Sequence, residues 1–192
     1  METTATNRSF LFIVASTREA GHLGNTEWLA RYGSAALPDE TRQTWLYLRD
    51  FELPAFVDRR HTTGTYPAPL GDGATLLDAT LSASDLVFVA PVYWYSMPSP
   101  LKLYLDQWSG WMRVPELDFK GKMAQKSLSL VSTSGNREKS QPMMESVRLC
   151  AEFMGMRWGG SVWGKGGPPA AVESDQAAQQ ASIELFRTLI ET

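Results

Sequence analysis

Cysteine is almost absent from this chain of 192 residues: Cys150 stands alone. One thiol cannot close an internal disulfide, and multi-cysteine metal sites are excluded with it. Histidine is nearly as scarce, and His22 and His61 lie too far apart to give a metal-ligand spacing. A surplus of one charge is missing too. Lys and Arg number 18 against 21 Asp and Glu, a net charge of -3 with no basic block, which argues against a nucleic-acid partner because phosphate neutralisation needs a row of cations. Long hydrophobic runs are lacking as well. The apolar stretch nearest the start, Phe10 to Ala15, has six residues, shorter than the about 7 to 15 of a secretory signal core and far short of a membrane span. These absences lead to the expectation of a cytoplasmic protein in a reducing compartment.

What is present is ordinary globular material, 43% hydrophobic and 20% charged. A chain of this length buries about 70% of its unfolded surface. We expect a polar, flexible start over Met1 to Ser9, followed by a single domain over 10–192. Phe10 to Ala15 (FLFIVA) is apolar at every position, the pattern of a central strand buried on both faces. A small, polar, glycine-containing loop leads from it into a helix beginning near Glu27, where Trp28, Leu29, Tyr32 and Ala36 form a stripe. Further strands are readable at Gln43 to Leu48, Leu86 to Ala90, Ser127 to Val131 and Arg157 to Trp163. Helices are readable at Leu76 to Ser82, Ser99 to Trp108, Pro142 to Met154 and Asp175 to Glu191. Strands alternating with helices specify a doubly wound α/β sandwich. One connection, Arg49 to Gly73, is too long to be idle in a compact domain.

In such a sheet a ligand sits beyond the carboxyl ends of the strands, at the switch point of the winding. The loop after the first strand offers Ser16, Thr17, Arg18, Asn25 and Thr26, with Gly21 and Gly24 freeing backbone N–H groups at a helix N-terminus. That is the composition of a phosphate site, although the same residues also serve simply to cap a helix. The loop after the third strand, PVYWYSMPSPLK from Pro91 to Lys102, carries three consecutive aromatics where a polar turn is usual. A flat aromatic ligand explains them, as does a subunit contact. The loop after the fourth strand, from Ser132 to Pro142, supplies small hydroxyl residues and Gly135, which permits close backbone approach. Together the three loops describe a site for a mononucleotide carrying a flat ring.

The segments FIVASTREAGHLGNTEWLA and LVFVAPVYWYSMPSPLKLYLDQW, with STSGN further on, resemble the flavodoxin-like NAD(P)H-dependent FMN reductases and quinone reductases. The resemblance implies a three-layer sandwich around a five-stranded parallel sheet in the order 2-1-3-4-5, noncovalent FMN, and a homodimer or homotetramer. It places the FMN phosphate on Ser16, Arg18, Asn25 and Thr26, and the ribityl and isoalloxazine along Pro91, Val92, Tyr93, Trp94, Ser96 and Met97. Thr133, Ser134 and Gly135 would border the ring from the other side, while Lys102 and Asp106 of the PLKxxLD helix are structural. The implied activity is electron transfer from NADPH or NADH to a flat acceptor such as a quinone, an azo compound or free flavin, and because a single mononucleotide pocket leaves little space for two ligands together, ping-pong turnover is expected. No protein acid or base is needed, because the flavin carries the redox chemistry. An electron-carrier flavodoxin and a flavin-binding scaffold without reductase activity are the competing readings.

Other features carry less. GGSVWGK, Gly159 to Lys165, matches the opening of a P-loop, but Gly166 stands where the metal-binding hydroxyl belongs and no helix follows. Cys150, within VRLCAEF, reads as a small core residue. His22 lies in the phosphate loop. His61 follows Arg59 and Arg60 in the long connection, where the three read as a solvated segment or as a contact for a charged cofactor.

Overall fold

The computed structural model describes residues 8–191. The polar start up to Asn7 lies outside the described residues. Arg8 and Ser9 do not belong to it, a correction to the expected boundary: Ser9 opens the first strand, and Arg8 reaches the Asp85 carboxylate through Nε at 3.0 Å and Nη2 at 2.5 Å. The buried acid, 77 residues away in the chain, is what orders this arginine.

The strands are β1 (Ser9–Val14), β2 (Arg42–Tyr47), β3 (Asp85–Pro91), β4 (Ser127–Ser134) and β5 (Arg157–Lys165). They pair in parallel in the order β2-β1-β3-β4-β5. The helices are α1 (Asn25–Ser34), α2 (Asp72–Ser82), α3 (Ser99–Trp111), α4 (Phe119–Met123), α5 (Gln141–Met154) and α6 (Gln176–Glu191). Pro100 sits in the first turn of α3, where its missing N–H leaves no bond unmade.

Alternation along the strands sorts their side chains into two cores. Leu11, Ile13, Leu86, Phe88, Leu128 and Leu130 face α2, α3, α4 and α5, whereas Phe10, Phe12, Val87, Val89 and Val131 face α1 and α6. Both faces are therefore dry. That is why β1 and β3 read as unbroken apolar runs and not as alternating ones. No helix of the described residues is long and apolar enough to cross a membrane.

The sheet directs the carboxyl ends of β1, β3, β4 and β5 to one edge, and the segments after them form the site. GGSVWGK lies inside β5 as extended strand, which disposes of the P-loop pattern. The connection from Arg49 to Gly73 does not float: Gln107 Nε2 donates to the Pro54 carbonyl at 2.8 Å, and the Tyr66 N–H donates to the Arg113 carbonyl at 3.2 Å, so both legs are tied to the α3 region. Cys150 is half-buried on α5, at an apolar groove and not in the core, and burial pushes its thiol up.

Candidate functional site

A polar cavity of about 220 Å³ opens at the carboxyl edge of the sheet. Ser16, Arg18, Asn25 and Thr26 line it from the first loop, Pro91, Val92 and Tyr93 from the third strand's end, and Thr133, Ser134 and Gly135 from the fourth. The structure thus gathers ten of the thirteen residues singled out from sequence into one cavity.

α1 begins at this cavity with Gly24 as its N-cap and no side-chain hydrogen bond at the cap. Orphaned N–H groups and the positive end of the helix dipole meet there, an arrangement suited to an anion. The Arg18 guanidinium also lines the cavity, and among the described residues it has no hydrogen-bond or ion-pair partner. A Cβ on Gly24 would stand 3.3 Å from Arg18 Cδ, so glycine keeps the cap slim beside the guanidinium.

The surrounding side chains are mutually fixed. Ser16 Oγ accepts the Arg18 N–H at 3.3 Å, and Thr26 Oγ1 pairs with Thr133 Oγ1 at 2.5 Å across the floor. Thr17 Oγ1 donates to the Tyr93 hydroxyl at 3.3 Å, joining the first loop to the third. Trp163 Nε1 donates to Ser134 Oγ at 2.8 Å. Such bonds hold a site in shape before any ligand arrives.

Asn25 is placed as expected but employed differently. Its Nδ2 donates to the Pro168 carbonyl at 2.9 Å and its Oδ1 accepts the Val172 N–H at 3.4 Å. The side chain therefore laces α1 to the segment after β5, which leaves the second Nδ2 hydrogen and the backbone N–H for other partners. That segment is a fourth wall that the sequence reading did not single out as part of the site: Gly166 and Gly167 line the cavity. The Gly166 N–H donates to the Ser134 carbonyl at 2.8 Å, and a Cβ on Gly166 would come within 3.1 Å of Thr133 Cβ. The only available signal was the glycine pair in GKGGPPAA.

Trp94, Ser96 and Met97 do not line the cavity. Tyr93 and Ser96 exchange backbone hydrogen bonds of 3.0 Å each way, closing a tight turn in which Trp94 (φ 51°) and Tyr95 (φ 62°) both take left-handed backbone. Neither is glycine, so the turn stores strain of a kind that collects at functional sites. The turn thrusts Trp94 outward at 94% exposure. Ser96 and Met97 instead border a neighbouring groove of about 850 Å³ with Arg49, Phe51 and Lys102. Lys102 Nζ pairs with Asp106 Oδ1 at 2.5 Å on the exposed side of α3. His22 and His61 are both exposed and outside the cavity.

The end of β2 supplies further residues that sequence reasoning missed. Tyr47 donates its hydroxyl to Glu27 Oε1 at 2.7 Å, and Arg49 Nη1 donates to the Arg18 carbonyl at 3.0 Å. Burial, with the Glu27 carboxylate alongside, raises the Tyr47 hydroxyl above its ordinary value. Burial works against the charge of Arg31, but its hydrogen bonds to Glu27 and Tyr47 outweigh that and hold the guanidinium protonated more firmly than usual. The Glu27 to Arg31 spacing was legible as a helical ion pair; Tyr47 carried no such signal.

A five-stranded parallel sheet with helices packed on both of its faces makes this a doubly wound α/β protein. A family model described as the flavodoxin-like fold matches residues 8–185, and the chain belongs to that family. It is 29% identical over 167 residues, 85% of its length and 90% of the other's, to a Bacillus subtilis (strain 168) protein provisionally named an NAD(P)H-dependent FMN-containing oxidoreductase, YwqN. The solved structure of the Trp repressor binding protein from Bacillus subtilis aligns with a TM-score of 0.72 at 26% identity, over 92% of this chain and 97% of that one. An FMN-dependent NADH-azoreductase from Bacillus anthracis str. Ames Ancestor, solved in complex with FMN, aligns with a TM-score of 0.60 at 13% identity, over 96% of this chain and 98% of its own. At that identity the likeness is one of fold.

Proposed function

We propose that this chain is an FMN-dependent oxidoreductase that moves electrons from NADPH or NADH to a flat acceptor, such as a quinone, an azo compound or free flavin. The observation that carries the reading is the convergence of four strand-end segments on an anion cradle at the start of α1. The name of the Bacillus subtilis relative points the same way. The residues fit the group: the first-turn N–H groups of α1 and the Arg18 guanidinium would receive the phosphate, with Ser16 and Thr26 beside it. Pro91, Val92 and Tyr93 would border the ribityl and ring from one side, and Thr133, Ser134 and Gly135 from the other. Bound FMN would supply the redox chemistry, taking two electrons as hydride from the nicotinamide and passing two to the acceptor.

The protein's own part is orientation and exclusion of water. Trp94 and Tyr95 project beside the cradle, where a flat acceptor would find an aromatic surface. Donor and acceptor would use the same open side in turn, so reciprocal plots at several donor concentrations should be parallel; intersecting plots would overturn ping-pong turnover. The reading also takes the chain as a homodimer or homotetramer. The groove between α3 and α5, about 520 Å³ and lined by Leu105, Met112, Leu149 and Phe153, leaves Phe153 61% exposed, and light scattering on the purified protein measures the assembly.

The deciding experiment is an absorbance spectrum of the protein saturated with FMN and then given NADPH or NADH without oxygen. Bleaching of the bound flavin is the expected result. Bound flavin that stays oxidised would favour an electron carrier, and absence of bound flavin would overturn the reading of the cradle.

A further inference from the structure

A glutamate is among the residues that line the cavity read above as an anion cradle. Glu27 is the third residue of α1, lines the cavity, and has a side chain only 8% exposed. Left free, an ionised Glu27 would compete with a phosphate for the first-turn N–H groups and repel it at short range.

The end of β2 keeps it in place. The Tyr47 hydroxyl donates to Glu27 Oε1 at 2.7 Å, Arg31 Nε donates to the same oxygen at 2.9 Å, and Arg31 Nη2 donates to the Tyr47 hydroxyl at 2.8 Å. The three side chains close a ring of hydrogen bonds. Arg31 is held in addition over the Trp45 ring, 4.1 Å from its centroid. Two residues beyond Tyr47, the Arg49 guanidinium lies 4.6 Å over the Tyr47 ring and donates through Nη1 to the Arg18 carbonyl at 3.0 Å. Arg49 Nε is buried without a hydrogen bond, 3.6 Å from Asp50 Oδ1, so the guanidinium's one short bond is the one to the cradle loop. One strand end thus grips both rims of the cradle, the helix side through Glu27 and the loop side through Arg18.

We propose that Tyr47 and Arg49 are positioning residues for the phosphate of the flavin. Tyr47, with Arg31, pins the Glu27 carboxylate off the phosphate, and Arg49 fixes the segment that presents the Arg18 guanidinium. Edge strand β2, which contributes nothing to the cavity wall itself, therefore sets the preference for a phosphorylated over an unphosphorylated flavin. This rests on the FMN reading given above.

The test is titration of the full-length apoprotein with FMN and, separately, with riboflavin, followed by flavin fluorescence. Tyr47→Phe is expected to raise the FMN dissociation constant by about tenfold, the size of one lost charge-assisted contact, and to leave that for riboflavin unchanged. Adding Glu27→Gln to Tyr47→Phe removes the displaced charge and should restore FMN binding, a rescue that a merely structural Tyr47 would not give. Glu27→Gln alone should bind FMN at least as tightly as the unaltered chain, which keeps the test open if Tyr47→Phe fails to fold. Arg49→Gln should weaken FMN and spare riboflavin. Equal weakening of both ligands, an unmoved ratio of the two constants, or failure of Glu27→Gln to rescue would overturn the proposal while leaving the FMN reading intact. Failure of the unaltered chain to bind either flavin would overturn that reading, and this inference with it.

Discussion

At the scale of single residues, the site depends on which polar groups are already occupied. Asn25, Thr26 and Thr133 bond to other parts of the protein, so their side chains shape the cradle more than they serve a ligand. Arg18 is the exception, a guanidinium at the cavity with no partner among the described residues. Arg18→Ala should therefore weaken FMN binding by about 1.5 to 3 kcal/mol, the range for a hydrogen bond to a charged group. Titration of the variant measures it, and unchanged affinity would remove Arg18 from the phosphate. That these residues would meet was readable from sequence because the loops after parallel strands gather at one edge of the sheet. The employment of each atom was not. Asn25 finds its partners 143 and 147 residues away, and Tyr47 meets Glu27 only because the fold brings the end of β2 beside the start of α1.

Among elements, the strands and long helices were legible and the irregular pieces were not. An apolar run such as Leu86 to Ala90 announces a strand buried on both faces, and the structure lengthens it by one residue at each end, to Asp85–Pro91. α4, only five residues long, escaped because so short a stretch shows no periodicity. α2 begins at Asp72 and not near Leu76, since the chain turns into it at Gly71 (φ 56°), a backbone state that glycine adopts freely. The closest approach of two helices was equally invisible. A Cβ on Gly33 in α1 would stand 2.0 Å from Ser182 Oγ and 2.7 Å from the Ser182 carbonyl in α6, while Ser182 Oγ donates to the Leu29 carbonyl at 2.9 Å. Helix propensity alone makes Gly33→Ala favourable by about 1 kcal/mol. The clash includes backbone atoms that cannot swing aside, so the net effect should be a loss of about 1 to 3 kcal/mol as α6 is pushed off. Urea unfolding decides the sign; a raised midpoint would show that the two helices part easily.

For the molecule as a whole, the two ends of the sheet do different work. The carboxyl end gathers donors for an anion and leaves several of them open, whereas the amino end closes on an anion of its own. Asp85 opens β3 fully buried and receives Arg8 at the start of β1, the Ser127 hydroxyl at the start of β4, and Arg157 of β5 at 3.6 Å, with Ser84 Oγ at 2.7 Å beside it. One carboxylate thus rivets four adjacent strands where their hydrogen-bonding begins. Removing it leaves the Arg8 guanidinium, mostly buried, without its counterion, and breaking a pair of this kind costs about 3 to 5 kcal/mol. Against a typical domain stability of about 5 to 15 kcal/mol, that is a large share. Asp85→Ala should accordingly lower the urea midpoint strongly. The cradle lies at the far edge of the sheet and shares no residue with this cluster, so the fraction that stays folded should bind FMN with the affinity of the unaltered chain. A midpoint that does not move would mean that water replaces the rivet, and a weakened flavin affinity in the folded fraction would mean that strain at one end of the strands reaches the other.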